Sequence, residues 1–167
     1  PSVIDGLKPS QRKVIFSCLK RNLKSEIRVA QLAGYVSEQA AYHHGEMSLQ
    51  GTIVNMAQTF IGSNNINLLA PNGQFGTRMS GGKDAAQARY IHTQLCENTD
   101  KIFDKRDNSL LTFIEDDGLL VEPHYYVPII PMLLINGSSG IGTGWMTDIP
   151  SFNPEDIISN IKRYING

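Results

Sequence analysis

Apolar residues recur at the spacing of an α-helix in three successive stretches between residues 10 and 60. The first begins after Ser10, which can cap a helix, and the second ends near Tyr42. The third has an opposite face of short, uncharged side chains and stops at the polar stretch 62–65. The apolar positions are Ile15, Cys18, Leu19 and Leu23; Val29, Leu32, Ala33, Val36 and Ala40; and Leu49, Ile53, Met56, Ala57 and Phe60. The pattern predicts three amphipathic helices.

From residue 66 the pattern changes to short β-like runs that glycine-containing turns separate. The runs cover residues 66–69, 75–79 and 88–95. Three helices followed by such a ribbon are the order of a winged helix-turn-helix, whose third helix meets the major groove while the wing lies along the DNA backbone.

The second half of the chain predicts elements of several kinds. Residues 121–135 contain three prolines, which favours extended edge strands over a helix. Residues 136–145 predict a glycine-rich loop, and residues 116–118 a solvated turn. Pro154, followed by two acidic residues and spaced isoleucines, begins a final helix. We therefore expect an α+β fold.

The formal net charge of −1 hides an uneven distribution. Residues 1–92 carry ten Lys and Arg against five Asp and Glu, a net of +5, whereas residues 93–167 carry five against eleven, a net of −6. This asymmetry favours a polyanion-facing part joined to something else.

Composition excludes several classes of protein. With 41% hydrophobic and 19% charged residues, the chain can bury a core and is not disordered. Its longest apolar run, 127–135, contains two prolines and is far below the ~20 residues of a membrane span. Two cysteines without a spacing pattern favour a reducing compartment over a disulfide framework or a zinc site. Because the chain starts at Pro1 without a methionine, we expect a segment of a longer protein.

Two clusters in the basic half could contact phosphate. Lys8 lies on a turn just before a basic helix, whose free N–H groups would attract an anion, although a solvated turn explains the same residues. His43 and His44 precede the third helix, where a histidine can donate to a phosphate. A metal site at these histidines lacks the spacing of a zinc-binding helix and an obvious third ligand, and a capped helix start remains open.

The third cluster runs from Gly81 to Tyr90 and contains Lys83 and Arg89. It lacks the phosphate-loop spacing, because Asp84 follows Lys83 where Ser or Thr is required, so ATP binding is not expected there. On the residues alone, Tyr90 is either a nucleophile beside an arginine or a packing residue.

The fourth cluster is the glycine-rich stretch around Ile141. An exposed aliphatic side chain on such a loop can act as a wedge that unstacks a base step and kinks DNA. A tight structural turn capped by Trp145 is the alternative.

Together these motifs resemble the eukaryotic type IIA DNA topoisomerases, and the resemblance covers essentially the whole chain. It rests on several long motifs in family order, which are residues 1–14 (PSVIDGLKPSQRKV), 41–46 (AYHHGE), 71–73 (PNG), 75–78 (FGTR), 81–86 (GGKDAA), 89–91 (RYI), and 136–145 (NGSSGIGTGW). Ala88, where other members often have proline, is a departure that we expect to be harmless.

The resemblance implies a winged-helix domain in residues 1–94 and the beginning of an α/β tower domain in residues 95–167. It implies that Tyr90 attacks a DNA phosphate and forms a 5′-phosphotyrosyl link, that Arg89 stabilises the transition state, and that His44 lies by the scissile phosphate. The implied DNA contacts are Lys8, Tyr42, Ser48 and the intercalating Ile141, to which the clusters above add His43 and Lys83.

The resemblance also implies an ATP-dependent type II topoisomerase that passes double-stranded DNA through a transient break. Mg²⁺ and ATP are expected to bind domains outside this segment, so the segment alone should bind DNA without relaxing it. The whole enzyme is expected to be a nuclear homodimer without a membrane association. A non-catalytic winged-helix DNA-binding module is the alternative.

Overall fold

The computed structural model describes residues 1–167 and has the expected α+β composition. The helices are α1 (Pro9–Arg21), α2 (Val29–Gln39), α3 (Glu46–Ala57), α4 (Thr99–Ile102), α5 (Met132–Asn136) and α6 (Pro154–Asn166), and a 3₁₀-helix covers Lys105–Leu110. The strands are β1 (Ile27–Arg28), β2 (His92–Thr93), β3 (Phe113–Asp116), β4 (Leu119–Pro123), β5 (Ser138–Gly142) and β6 (Trp145–Ile149). They form three antiparallel pairs, β1–β2, β3–β4 and β5–β6. None of the helices has the length and apolar character needed to cross a membrane.

The three helices predicted in the first half are confirmed, with shifted ends. Helix α1 starts at Pro9 rather than after a Ser10 cap, and the Gln11 side chain accepts the Lys8 backbone N–H at 2.8 Å. Proline suits the first helical position because its missing N–H would have no partner there. Helix α2 ends at Gln39, short of Tyr42, and Ala41 takes a left-handed φ of 47° that turns the chain toward α3.

The wing, residues 66–95, consists mainly of turns and irregular backbone rather than three strands. Isolated antiparallel bridges join Leu69 to Leu95 and Asn72 to His92, so the first and third predicted runs do meet. Only His92–Thr93 forms a strand, and it pairs with β1, which the hydrophobic pattern did not predict. Residues 75–79 are not a strand, because side chains satisfy this backbone instead of a ladder. The Gln58 amide donates to the Phe75 carbonyl at 2.9 Å, and Asp84 accepts the Thr77 backbone N–H at 2.8 Å.

The predictions for the second half have mixed outcomes. The turn at residues 116–118 is confirmed, with positive φ at Asp117 and Gly118 between β3 and β4. The prediction of extended strands over residues 121–135 is confirmed for the part that lies in β4. It is wrong for residues 132–135, which belong to α5, a helix that begins directly after Pro131. Residues 136–145 are not a loop but most of the β5–β6 hairpin. The final helix α6 is confirmed, and the Asn153 side chain accepts the Glu155 N–H at its start.

One hydrophobic core crosses residue 94. Leu49 and Ile53 of α3 belong to the same cluster of buried residues as Leu95, Phe103 and Ile135. Helix α1 also contacts β4, where Lys13 forms an ion pair of 2.9 Å with Glu122. The two stretches therefore share their interior, and a domain boundary at residue 94 stays a prediction.

A buried ion pair holds the turn that precedes α1. The Asp5 carboxylate is inaccessible to solvent and accepts the Arg12 Nε–H at 2.7 Å and the Tyr126 backbone N–H at 2.8 Å. Gly6 follows with a φ of +71°, and a Cβ atom there would lie 2.7 Å from the backbone of Leu133 in α5. Asp5 and Gly6 thus connect the start of the chain to Tyr126 and Leu133 in its second half, and the close approach at Gly6 leaves no room for a side chain.

Candidate nucleic-acid interface

A groove of about 800 Å³ lies between the start of α1, the loop from α2 to α3, and the β5–β6 hairpin. It brings together six of the nine site residues expected from the sequence. These six are Lys8, Tyr42, His43, His44, Ser48 and Ile141. Residues that are far apart in the chain thus share one concave surface.

Lys8 is placed at the groove by its neighbours on both sides. The buried Asp5–Arg12 pair fixes the preceding turn, and the Lys8 side chain lies against Gly140 of β5, where a Cβ atom would be 3.8 Å from Nζ. Its ammonium group takes part in no ion pair. A half-buried, unpaired lysine beside a helix start is suited to binding a phosphate.

The loop from α2 to α3 orients the two histidines. The Tyr42 backbone N–H donates to the Ser37 carbonyl at 3.2 Å, and the Tyr42 hydroxyl donates to Ser48 Oγ at 3.1 Å. The His44 ring packs edge-on against the Tyr42 ring, with 5.5 Å between centroids. Because Tyr42 is buried and tied to α3, both histidines are held on the exposed side at the start of that helix.

Two charged residues that were not predicted as DNA contacts also line the groove. Lys13 is not free to bind DNA, because its ammonium contacts Glu122 and donates to the Ala40 carbonyl at 2.5 Å. Asp116 is the only acidic residue among those that line the groove. Its Oδ2 lies 3.7 Å from Nε2 of His43. Neither contact has a local sequence signal, since the partners are far apart in the chain.

Arg89 and Tyr90 do not line this groove but lie on the wing, as does Lys83. The Tyr90 side chain is 66% exposed, and the Arg89 guanidinium carbon lies 5.0 Å from the centre of its ring. The turn that carries Tyr90 is anchored to α2, because the backbone N–H groups of Val29 and Ala30 in α2 donate to the carbonyls of Ile91 and Ala88. Tyr90 is therefore an exposed phenol on an anchored turn with a cation at its ring.

The wing turn that carries Lys83 is closed by its own aspartate. Both the backbone N–H and the hydroxyl of Thr77 donate to the Asp84 carboxylate at 2.8 Å, and these bonds hold the pKa of Asp84 below its usual value. Lys83 is exposed beside them. The Asp that breaks the phosphate-loop motif thus shapes the turn, a role that the sequence pattern did not indicate.

Ile141 is 89% exposed near the tip of the β5–β6 hairpin. Its cross-strand neighbour is Met146, also exposed, while Trp145 is paired with Gly142 and is 85% exposed. Trp145 therefore does not cover the turn as a packing cap. The apolar pair Trp145 and Met146 directly after a glycine turn is the sequence signal that could have indicated a second exposed strand.

Potential metal ligands are not clustered in this structure. No group of three or more His, Cys, Asp or Glu side chains is placed to hold a metal ion. Burial raises the pKa of Cys18 to about 12 and raises that of Cys96 as well, so neither thiol is a ready metal ligand.

Comparisons with known proteins agree with the family resemblance. The family profile that describes the A subunits of DNA gyrase and topoisomerase IV matches residues 1–167. DNA topoisomerase 2 of Candida albicans is 60% identical over 167 residues, which are 100% of this chain and 11% of that protein. The Saccharomyces cerevisiae protein of the same name is 61% identical over 166 residues, 99% of this chain and 12% of its own length.

A solved structure has the same fold. It is the Plasmodium falciparum topoisomerase II DNA-binding, cleavage and re-ligation domain, which matches with a TM-score of 0.97 and 58% identity over 99% of this chain and 23% of that one. Fold and sequence together define a segment of a type II DNA topoisomerase. The chain belongs to the DNA gyrase/topoisomerase IV family, and within it to the eukaryotic type IIA enzymes. It spans about a tenth of the length of the curated relatives that it matches.

Proposed function

We propose that this chain binds double-stranded DNA and supplies the nucleophile that cleaves and rejoins it, with Tyr90 in that role. The observation that supports this most is the exposed Tyr90 on a turn anchored to α2, with Arg89 at its ring. A packing tyrosine would be covered by other side chains, whereas this one is open to a substrate as large as DNA.

The proposed chemistry exchanges one phosphodiester for another. The Tyr90 hydroxyl gives its proton to a base, and its oxygen forms a bond to the phosphorus while the bond from phosphorus to the 3′ oxygen breaks. The 3′ oxygen takes up a proton and leaves as a hydroxyl. Because the phosphotyrosyl bond keeps the energy of the broken bond, the reverse attack rejoins the strand without ATP.

Arg89 and His44 are the groups that we assign to the developing negative charge. A neutral phenol is a weak nucleophile, and charge-assisted hydrogen bonds to the phosphate oxygens lower the barrier where charge grows. Arg89 adjoins Tyr90 in the chain, whereas His44 lies in the groove. The proposal therefore requires the DNA to reach both the wing and the groove.

The groove is the proposed binding site of the DNA duplex. Lys8 and His43 would bind phosphates, Tyr42 and Ser48 would contact the backbone through their linked hydroxyls, and Lys83 would hold the strand along the wing. Phosphate contacts of this kind carry affinity but no sequence information.

The activity of the whole enzyme is part of the same proposal. We propose an ATP-dependent, homodimeric nuclear topoisomerase that passes one duplex through another, with Mg²⁺ and ATP bound outside this chain. The chain alone should bind DNA but neither relax it nor hydrolyse ATP. Relaxation of supercoiled plasmid by the isolated chain would contradict this division of roles.

Replacing Arg89 with alanine should slow cleavage far more than it weakens DNA binding. Removing one preorganised donor to a developing charge costs roughly 10²–10³ in rate, whereas losing one phosphate contact should lower affinity by less than about tenfold. Arg89→Lys keeps the charge but not the fork of donors, and should recover only part of the rate. Measuring covalent adduct formation and duplex binding side by side tests this, and equal losses in both would make Arg89 only a phosphate clamp.

Replacing Ile141 with alanine should reduce DNA bending while preserving the binding of nicked DNA. The exposed side chain is proposed to unstack a base step, and a nick removes most of the cost of that distortion. Fluorescence transfer between the ends of a short duplex measures the bend. Leu119→Ala is the matched control, since Leu119 is an exposed aliphatic on the other hairpin and does not line the groove. Unchanged bending in Ile141→Ala would rule out the wedge.

A further inference from the structure

The groove contains one feature that does not suit a polyanion, the carboxylate of Asp116. No other carboxylate lines the groove, and its Lys and His side chains are Lys8, Lys13, His43 and His44. Asp116 faces His43, with 3.7 Å between Oδ2 and Nε2, and both side chains are accessible to solvent. An acidic group at this place works against phosphate binding unless it has a role of its own.

The position of Asp116 is set by the fold rather than by a mobile loop. Asp116 ends β3, pairs with Leu119 of β4, and precedes the tight turn at Asp117 and Gly118. Strand β4 packs on α1, where Glu122 holds Lys13 at 2.9 Å. The hairpin is therefore fixed against the same helix whose start carries Lys8.

We propose that Asp116 occupies the anion position at His43 that a DNA phosphate takes when the duplex binds. A carboxylate and a phosphate offer the same kind of acceptor oxygen to an imidazole N–H. The DNA must displace Asp116 from His43, so the groove carries a competitor of its ligand. This inference rests on the proposed DNA-binding function of the groove.

The size of the effect follows from the exposure of the pair. His43 is 71% and Asp116 36% exposed at the side chain, so water screens their attraction. When the histidine is protonated, an exposed ion pair of this kind contributes up to about 1 kcal/mol, which corresponds to roughly a fivefold change in affinity. The competition should weaken as salt rises, because screening acts on both the pair and the phosphate contact.

Among the basic side chains that line the groove, His43 is the one that lies close to Asp116. Lys8 and His44 also face the groove, but Lys8 makes no ion pair, and no ion pair joins Asp116 to a lysine. Lys13 is already bound to Glu122. The release of Asp116 therefore acts at His43 first.

Duplex binding by the full-length protein tests the inference, with fluorescence anisotropy at low salt and without divalent metal so that the DNA stays intact. Asp116→Asn should tighten binding by about two- to fivefold. Asp117→Asn is the matched control, because it removes the same charge one residue away, lies outside the groove, and keeps a residue type that tolerates its φ of 49°. We expect Asp117→Asn to bind as the unchanged protein does.

A double-substitution cycle separates competition from general electrostatics. In a His43→Ala background, Asp116→Asn should no longer tighten binding, since the contested donor is gone. A gain that persists without His43, an equal gain from Asp117→Asn, or weaker binding by Asp116→Asn would each overturn the inference.

Failure of the proposed function has a different signature. If Lys8→Ala and His43→Ala both bind DNA as the unchanged protein does, the groove is not a DNA site, and the proposed role of the groove and the inference are both wrong. If both weaken binding while Asp116→Asn does not tighten it, only the inference is wrong.

Discussion

Tyr90→Phe in the full-length protein is expected to abolish covalent protein–DNA adducts while leaving duplex binding almost unchanged. Phenylalanine keeps the ring, and hence the contact with the Arg89 guanidinium, but removes the oxygen that would bond to phosphorus. Since the side chain is 66% exposed and the turn is held by backbone bonds to α2, the substitution should not disturb the fold. Because the covalent link is proposed to form through this oxygen, its removal should abolish adduct formation completely.

The measurement is a detergent quench of the protein with labelled DNA, followed by separation of protein-linked strands. Tyr164→Phe is the matched control, because Tyr164 is 90% exposed on α6 and lies outside the groove. Adducts that persist in Tyr90→Phe would show that Tyr90 is not the nucleophile. Unchanged strand passage in that variant would favour the non-catalytic DNA-binding module instead.

Asp5→Ala is expected to destabilise the fold strongly, although Asp5 lies in the same family motif as the predicted phosphate contact Lys8. Its carboxylate accepts bonds from the Leu7 and Tyr126 backbone and from two nitrogens of Arg12. Alanine would leave the Arg12 guanidinium, itself only 7% exposed, buried without a counter-charge. Breaking one side of a buried ion pair costs about 3–5 kcal/mol.

Urea unfolding of the chain measures this cost. Asp100→Ala is the control, because it breaks the Lys24–Asp100 pair, whose side chains are 63% and 30% exposed, and should change the free energy of unfolding by at most about 1 kcal/mol. Equal effects of the two substitutions would mean that Arg12 finds another partner or water. A large effect confined to Asp5 would explain why the turn before Lys8 keeps its position.

The Asp5–Arg12 pair also changes how the basic half of the chain is understood. The net of +5 over residues 1–92 counts Arg12, Lys13 and Lys24 as if they faced a partner. Each of them is paired with a carboxylate, at Asp5, Glu122 and Asp100 respectively. Two of those carboxylates belong to the acidic half, so the two halves neutralise each other in part, and the cations left for DNA are fewer than the sum suggests.

The sequence by itself determined the features that depend on neighbouring residues. The periods of apolar residues located α1, α2 and α3, the Asp-Asp-Gly step located the β3–β4 turn, and Asn153 with Pro154 marked the start of α6. These signals are local because helix faces, tight turns and caps are set by residues within a few positions of one another. The family motifs could also be found in the sequence alone, because each of them is a short contiguous stretch of residues.

Only the tertiary structure decided which of these residues meet. The groove joins Lys8, His44 and Ile141, and the pair of His43 with Asp116 links a helix start to a hairpin that follows much later in the chain. Likewise, β1 was found only through its pairing with β2. Contacts between distant segments leave no periodic trace in a single sequence, because they are fixed by how the elements pack around the shared core rather than by the spacing of residues along it.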